Sequence, residues 1–401
     1  MEKIKKRIPG IVFFIFLIVI AGAAMLLPDK AVSKTERRTL AKFPAFTGAS
    51  FLDGTFMSQL ETYLLEQFPM RDAFRTVKAE TETKLFGRAD ADGYFKLGDG
   101  IYKLEANLNE KNIKRVANGI ETLAHNEFSK ADCYYAIIPD KNYFLSEQKM
   151  YPLLDYDRLN EIMNETVTSA QYINLYDKLE LSDYYRTDLH WKQECILEVA
   201  DEIVAQMQER KNGQSITGQE RGAGQTKTEQ EQTQRSNEKQ TMPEKKRTAE
   251  KDWQTATDKF IGAYGAASAL LTEPDTIYYY NNSTMQSLQV YDYEKKQNVS
   301  VYAPEKIGGT DDYDFYLWGA RALLNIKNEQ SSSGKKLLIF RDSFGSSIAP
   351  LLAEYYEEVT LWDLRYVSAS YARKLLQDTE YDDVLFLYST SVLNHGESLR
   401  F

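Results

Sequence analysis

The sequence predicts an α/β fold with a mainly parallel sheet flanked by helices. Short apolar runs of strand length alternate with longer stretches whose apolar residues recur at helical spacing. This alternation is typical of strands joined by crossover helices, which produce parallel neighbours. The predicted strands are 134–139, 173–176, 336–340, 359–362 and 383–388; the predicted helices are 107–128, 159–170, 190–207, 343–356 and 369–376.

Two local patterns precede this region. Residues 51–68 carry apolar side chains at helical spacing, which predicts an amphipathic helix. Gly98–Gly100 separates two short runs of alternating apolar residues, which predicts a hairpin.

The amino terminus resembles an export signal. Four basic residues within the first seven precede an apolar run from Ile11 to Leu27, which ends at Pro28. About 17 apolar residues lie between the length of a signal-peptide core and that of a full span, and the basic flank favours a cytoplasmic amino terminus. Ala21–Ala23 would suit a signal peptidase, but the apolar run continues past it. We therefore expect an uncleaved signal-anchor at 1–28 and a single-pass protein of the cell membrane, with the catalytic domain outside the cytoplasm.

The remaining chain is expected to form a juxtamembrane helical segment at 29–85 and one α/β domain at 86–401. A stretch at about 211–252 is rich in Gln, Glu, Lys, Thr and Gly and nearly free of apolar residues. Such a segment cannot bury enough apolar surface to offset its ordering entropy. We expect a disordered surface insertion, with a linker between two domains as the alternative.

Composition narrows the function classes. The formal net charge is −10, and no basic stripe is available for phosphates, which argues against nucleic acid as a partner. The two cysteines, Cys133 and Cys195, are too few for a disulfide framework, and the sequence leaves open whether they pair. No Cys/His cluster has metal-ligand spacing, so neither a metal nor another cofactor is predicted.

Two distant segments carry the residue types needed for acyl transfer. Thr187–Trp191 places Asp188 two residues before His190, one of only three histidines. Ser343 follows the apolar run 336–340, at the carboxyl end of a predicted strand, where sites in such sheets lie. A serine attacks, an imidazole takes its proton, and a carboxylate orients the imidazole. We predict Ser343 as nucleophile, His190 as general base and Asp188 as the orienting carboxylate.

These segments carry a resemblance to a known family. Asp188–Trp191 resembles the Asp-His-His-Trp signature of the DHHW protein family, and Leu337–Tyr356, Trp362–Tyr366 and Val384–Tyr388 are similar to its carboxy-terminal block. The segments at Asp92–Tyr102 and Ile138–Lys141 also match. That family is similar to the SGNH-hydrolase-like domains of bacterial exopolysaccharide (alginate-type) O-acetylation proteins, in which Asp and His also precede Ser.

The resemblance implies an SGNH-hydrolase-like fold and a polysaccharide O-acetyltransferase that works through an acetyl-serine intermediate. It implies a cell-surface polysaccharide as acceptor and a membrane-bound O-acyltransferase as the partner that supplies acetyl groups. An acetyl esterase with the same triad, and a non-catalytic envelope protein that binds glycan or assembles a complex, are the alternatives.

The sequence departs from the family pattern at three places. Leu189 replaces the second residue of the signature, and Arg341 replaces the glycine of a Gly-Asp-Ser block. Arg321 stands where an oxyanion-donating asparagine is expected. We therefore expect the Phe344 amide, at the start of a helix, to help stabilise the oxyanion. Arg321, Arg341 and Lys141 are expected to contact substrate.

Overall fold

The computed structural model describes residues 8–33, 35–148, 151–211, 252–376 and 379–401. The predicted insertion lies almost entirely outside the described residues, so its predicted disorder stays a prediction. The division into three segments also stays a prediction.

The chain begins with helix α1 at Ile8–Leu26, which has 19 residues. Of the helices that the structure describes, none combines the length and the apolar character needed to cross a membrane. The predicted signal-anchor and the predicted location in the cell membrane are therefore contradicted.

The following segment is a small hairpin and a group of short helices. Strands β1 and β2, Val32–Ser33 and Arg38–Thr39, pair antiparallel. Helices α2, α3 and α4 are Gly48–Leu52, Thr55–Glu66 and Arg71–Glu80, and a π-helical turn follows at Thr81–Leu85. The single helix predicted at 51–68 is divided because Gly54 adopts a left-handed conformation with φ of 81°.

Strands between residues 132 and 389 build a mixed eight-stranded sheet. Its order is β10-β9-β11-β13-β12-β14-β5-β6. These strands are Asp132–Ile138 (β5), Gln171–Ile173 (β6), Gln289–Asp292 (β9), Gln297–Val299 (β10), Leu323–Lys327 (β11), Lys336–Arg341 (β12), Glu358–Trp362 (β13) and Asp383–Ser389 (β14). The five strands from β13 to β6 are parallel, whereas β10, β9 and β11 extend the sheet antiparallel. The prediction of a mainly parallel sheet is therefore correct for five of the eight strands.

Two pairs of strands lie outside the large sheet. The hairpin predicted around Gly98–Gly100 is confirmed by β3 and β4, Tyr94–Leu97 and Gly100–Lys103. Strands β7 and β8, Trp253–Phe260 and Asp275–Tyr280, form an antiparallel ribbon.

Helices cover both faces of the sheet. The remaining helices are α5 (Glu110–Thr122), α6 (Tyr156–Thr166), α7 (Leu197–Lys211), α8 (Ala263–Ser268), α9 (Ser283–Ser287), α10 (Gly345–Leu352), α11 (Ala369–Leu375) and α12 (Thr390–Asn394). Side chains alternate along each strand, so Leu337 and Ile339 of β12 pack with α7 and α10, whereas Leu338 and Phe340 pack with α5 and α6. The result is a three-layer arrangement with two apolar cores.

Two predicted helices have different bounds. The helix after Ser343 ends at Leu352, not near Tyr356, and contains Pro350, which lacks a backbone donor. The helix predicted from His190 begins only at Leu197, because the preceding residues form an irregular loop and a 3₁₀ turn. That loop carries the predicted catalytic Asp and His.

Candidate active site

Ser343 lies in the tight turn between strand β12 and helix α10. The strand ends at Arg341 and the helix begins at Gly345, so the serine is at the carboxyl end of a parallel strand, as predicted. The side chain of Asp342 fixes this turn: its Oδ1 accepts from the Phe344 amide at 3.0 Å. Its Oδ2 accepts from the amide and the hydroxyl of Ser389 at 2.8 and 2.7 Å. The turn is therefore tied to the end of the neighbouring strand β14.

His190 joins the serine to the carboxylate. Its Nε2 lies 2.7 Å from Ser343 Oγ, and its Nδ1 lies 2.5 Å from Asp188 Oδ1. Tyr313 stacks on the imidazole with ring centroids 3.8 Å apart and planes 7° apart, and the Phe344 ring lies on it at 4.7 Å. The ring plane is thus held by aromatic packing as well as by hydrogen bonds.

Asp188 is fully buried, and both of its oxygens are engaged. Oδ1 accepts from the His190 amide at 3.0 Å as well as facing its ring. Oδ2 accepts from the Ala263 amide at 2.6 Å and from Arg37 Nη1 at 3.2 Å. Burial alone would raise the pKa of Asp188, but His190, Arg37 and the Ala263 amide outweigh it and hold the pKa well below its usual range. The carboxylate is therefore charged and fixed in orientation.

The backbone before Asp188 is held by the buried carboxylate of Asp275. Its Oδ2 accepts from the amide and the hydroxyl of Thr187 at 2.8 and 2.7 Å, and its Oδ1 accepts from Arg186. The Thr187 hydroxyl accepts in turn from the Gly262 amide at 2.8 Å. A Cβ at Gly262 would lie 2.2 Å from the Cβ of Asp188, so this close approach requires glycine.

The backbone after His190 is attached to helix α10. Ser347 Oγ accepts from the Trp191 indole at 2.8 Å and lies 2.9 Å from the Tyr313 hydroxyl. Gln193 donates to the Ser347 carbonyl at 2.7 Å. The helix that begins beside Ser343 therefore also positions the loop that carries His190 and the aromatic ring that packs on it.

Lys141 lies behind the loop and holds it by backbone contacts. Its side chain is buried, and Nζ donates to the carbonyls of Tyr185 and Arg186 at 3.1 and 3.0 Å. The ammonium also lies over the rings of Tyr102 and Tyr264. These contacts place Lys141 within the protein as a support of the loop, so they do not favour its predicted contact with substrate.

The other predicted contact residues are also engaged inside the protein. Arg341 is fully buried and donates to Ser346 Oγ at 3.0 Å and to the carbonyls of Gly319 and Arg321 at 3.4 and 3.2 Å. Arg321 Nε lies 3.4 Å from Asp292. The Phe344 amide is engaged with Asp342, as described above. The structure therefore brings Asp188, His190 and Ser343 together but gives no support to the predicted roles of Phe344, Arg321 and Arg341.

Sequence reasoning did not find Arg37, Tyr313 and Asp275, which contact the triad or its loop. They lie in separate segments, and no spacing rule relates them to Asp188. Cys133 and Cys195, whose pairing the sequence left open, are not joined to each other by a disulfide. Within the described residues, no group of three or more His, Cys, Asp or Glu side chains is arranged to hold a metal ion.

The fold and the site define a class: an α/β protein in which Ser, His and Asp side chains are linked by hydrogen bonds at the carboxyl end of a parallel strand. The model of the DHHW protein family matches residues 36–138 and 247–362, more than half of the chain. The chain therefore belongs to the DHHW protein family, as the resemblance predicted. No curated protein matches the sequence significantly.

Solved structures show the same fold at low sequence identity. A DHHW family protein from Eubacterium siraeum is 19% identical with a TM-score of 0.55, and the match covers 76% of this chain and 93% of that one. Bacillus cereus PatB1 with a sulfonyl adduct is 17% identical with a TM-score of 0.54, over 75% of this chain and 95% of that one. The O-acetyltransferase domain of Pseudomonas putida AlgJ is 10% identical over 77% of this chain and 93% of that one. Its TM-score of 0.40 is too low to establish a shared fold.

Proposed function

We propose that this protein transfers acetyl groups to hydroxyls of a polysaccharide through an acetyl-serine intermediate. The observation that carries the proposal is the continuous hydrogen-bonded chain from Ser343 Oγ through His190 to Asp188, at 2.7 and 2.5 Å. Such a chain is what activates a serine for nucleophilic attack. The choice of a polysaccharide as the acceptor rests on the similarity of the family to exopolysaccharide O-acetylation proteins.

The reaction has two half-steps. Ser343 Oγ attacks the carbonyl carbon of an acetyl ester as His190 Nε2 takes its proton, and the collapse of the tetrahedral intermediate expels the alcohol, which receives that proton from His190. A hydroxyl of the glycan then gives its proton to His190 and attacks the acetyl carbon, and the released serine is protonated again. Asp188 holds the imidazole with Nδ1 protonated and stabilises its charged form.

The surroundings of the triad support this chemistry. Asp188 is fully buried and its pKa is held low, so the group beside His190 is a charged carboxylate. A cleft of about 490 Å³ includes Gly265 and Asp312 among its lining residues. Gly265 donates to the carbonyl of Thr187, and Asp312 precedes the tyrosine stacked on His190, so this cleft borders the supports of the triad.

An acetyl ester and a sulfonyl fluoride test the nucleophile independently. A sulfonyl fluoride reacts at sulfur with an activated serine and releases fluoride, leaving a covalent adduct that needs no knowledge of the natural substrate. We expect the wild-type chain to release acetate from a chromogenic acetyl ester and to gain one adduct mapped to Ser343. Ser343→Ala and His190→Ala should each lose activity about 10⁴-fold or more. Ser332→Ala, at an exposed position before strand β12 and so at the edge of the sheet opposite to Ser343, is the control and should keep wild-type activity.

The outcomes separate the remaining possibilities. A folded wild-type chain that neither turns over the ester nor accepts the sulfonyl group would overturn the proposal and favour a non-catalytic envelope protein. Transfer of acetyl to added oligosaccharide in preference to water would support a transferase. Hydrolysis alone, unaffected by any acceptor, would indicate an esterase. The predicted membrane-bound acyl donor stays a prediction.

A further inference from the structure

We propose that Arg37 is a positioning residue of the triad and that the amino-terminal segment around it completes the active site. This inference rests on the proposed function, because it assigns a role in activating Ser343. Arg37 is 151 residues away from Asp188 in sequence, yet its guanidinium contacts the carboxylate that orients the general base.

The contact is made by a largely buried guanidinium. Arg37 Nη1 donates to Asp188 Oδ2 at 3.2 Å, and the side chain is 11% exposed. The other nitrogen of the fork, Nη2, pairs with Asp311. Asp311 is two residues before Tyr313, the ring stacked on His190. One side chain thus joins the carboxylate of the triad to the segment that packs on its imidazole.

The segment that carries Arg37 is itself attached to the catalytic domain. Glu36 pairs with Arg71 and Arg75 at 2.5 and 3.1 Å. Arg75 in turn donates to the carbonyls of Ala266 and Ala267, in helix α8, at 3.2 and 2.9 Å. Arg37 has a left-handed backbone with φ of 54°, a conformation that costs free energy in a non-glycine residue and persists only where the surroundings enforce it. These contacts hold its guanidinium in one place.

Helix α8 meets the same oxygen from the other side. The Ala263 amide at its start donates to Asp188 Oδ2 at 2.6 Å, so this amide and Arg37 share one oxygen while His190 takes the other. A carboxylate held at both oxygens cannot rotate away from the imidazole. Loss of Arg37 leaves Oδ2 with one donor and leaves Asp311 without its guanidinium partner.

The expected effect is on turnover, since Arg37 acts through Asp188. Removing the outer partner of a metal-ligating side chain typically changes activity about 10- to 100-fold, and we expect a similar effect for the outer partner of Asp188. We expect Arg37→Met to lower kcat for the acetyl ester by about that factor with KM within about twofold of wild type. Arg37→Lys, which can still place a charge beside Asp188, should recover part of the rate.

The test compares four full-length chains: wild type, Arg37→Met, Arg37→Lys and Arg38→Met. Arg38 is in the same segment and pairs with Glu36 and Glu66, but it has no contact with Asp188 among the interactions of the described residues. Each chain is assayed for kcat and KM with the acetyl ester and for the rate of sulfonylation of Ser343, and the midpoint and slope of its urea denaturation together give the folded fraction. Arg38→Met should keep kcat and sulfonylation within about twofold of wild type.

The inference is overturned if Arg37→Met and Arg38→Met have the same sulfonylation rate per folded molecule, or if Arg37→Met raises KM alone. Slower sulfonylation in Arg37→Met, with partial recovery in Arg37→Lys, supports it. A wild-type chain that is not sulfonylated at all would instead overturn the proposed function, and the role of Arg37 with it.

Discussion

Two buried cations hold the two ends of the candidate active site, and they differ in their electrostatic partners. Arg341, on the nucleophile side, donates to the carbonyls of Gly319 and Arg321, with the carboxylate of Asp363 3.9 Å away. Lys141, on the Asp188 side, donates to two carbonyls of the loop. Within the described residues it has no carboxylate within 4.0 Å, and the nearest rings are those of Tyr102 and Tyr264.

Both cations hold backbone carbonyls in place, but only one of them is expected to change its charge near neutral pH. A guanidinium remains charged in proteins, so the support on the nucleophile side is independent of pH in the ordinary range. Burial lowers the pKa of Lys141 to about 7, although Asp188, Asp275 and Asp140 act in the opposite direction. The Asp188 side of the site therefore contains a support whose charge changes near neutral pH.

The largest effect is expected from removing the guanidinium. Arg341→Met deprives two buried carbonyls and the Ser346 hydroxyl of their donors, and we expect the free energy of unfolding to fall by about 3 kcal/mol. Urea denaturation measures this change. Arg373→Met is the matched control: its exposed guanidinium pairs with Glu127 at the surface, and such pairs contribute only ~0.5 kcal/mol. Equal losses in the two variants would contradict the role given to Arg341.

Lys141 is expected to make stability depend on pH. Between pH 7 and 8.5 the unfolded chain keeps its lysine proton, with an ordinary pKa of 10.5, whereas folded Lys141 loses it above about pH 7. The unfolded state then binds more protons, so the free energy of unfolding rises with pH, by at most ~1.4 kcal/mol per unit.

Lys141→Met should flatten this rise, measured by urea denaturation at several pH values. Lys114→Met, which alters an exposed lysine paired with Glu110, should keep the wild-type slope. Burial raises the folded pKa of the Cys195 thiol to about 12, so this group begins to contribute at the upper end of the range, but it contributes equally in wild type and Lys141→Met and cancels in their comparison. The same slope in wild type and Lys141→Met would contradict the assignment.

A second pH-dependent effect is expected from Glu194, in the 3₁₀ turn after His190. One of its carboxylate oxygens is buried without a hydrogen-bond partner among the described residues, and burial raises its pKa to about 7. Between about pH 4.5 and 7 the folded state therefore holds a proton that the unfolded state releases. The free energy of unfolding consequently falls as pH rises through that window.

Glu194→Gln should consequently stabilise the protein at pH 8 by about 1–3 kcal/mol and have little effect at pH 5. Thermal or urea unfolding at the two pH values measures the difference. Glu161→Gln, which alters an exposed glutamate beside Arg158, should change stability by less than ~0.5 kcal/mol at either pH. A destabilised Glu194→Gln at pH 8 would show that the ionised carboxylate has a role that the buried position does not reveal.

The amino-acid sequence by itself determined the elements whose signals are local. The apolar run of β12, the turn at Ser343 and the hairpin of β3 and β4 follow from periodicity and turn chemistry over fewer than about ten residues. The family signature at Asp188–Trp191 added the chain order of the triad. The apolar amino terminus, by contrast, led to the prediction of a membrane span, and none of the helices that the structure describes qualifies as one.

Only the tertiary structure decided what surrounds these elements. It joined Arg37, Ala263 and Tyr313 to Asp188 and His190, and it turned Arg341 and Lys141 inward, where both had been expected to contact substrate. The sequence could not reveal this, because a cation has the same local pattern at a surface and in a core. Which of the two it occupies depends on whether distant segments bring enough carbonyls and carboxylates to offset its desolvation.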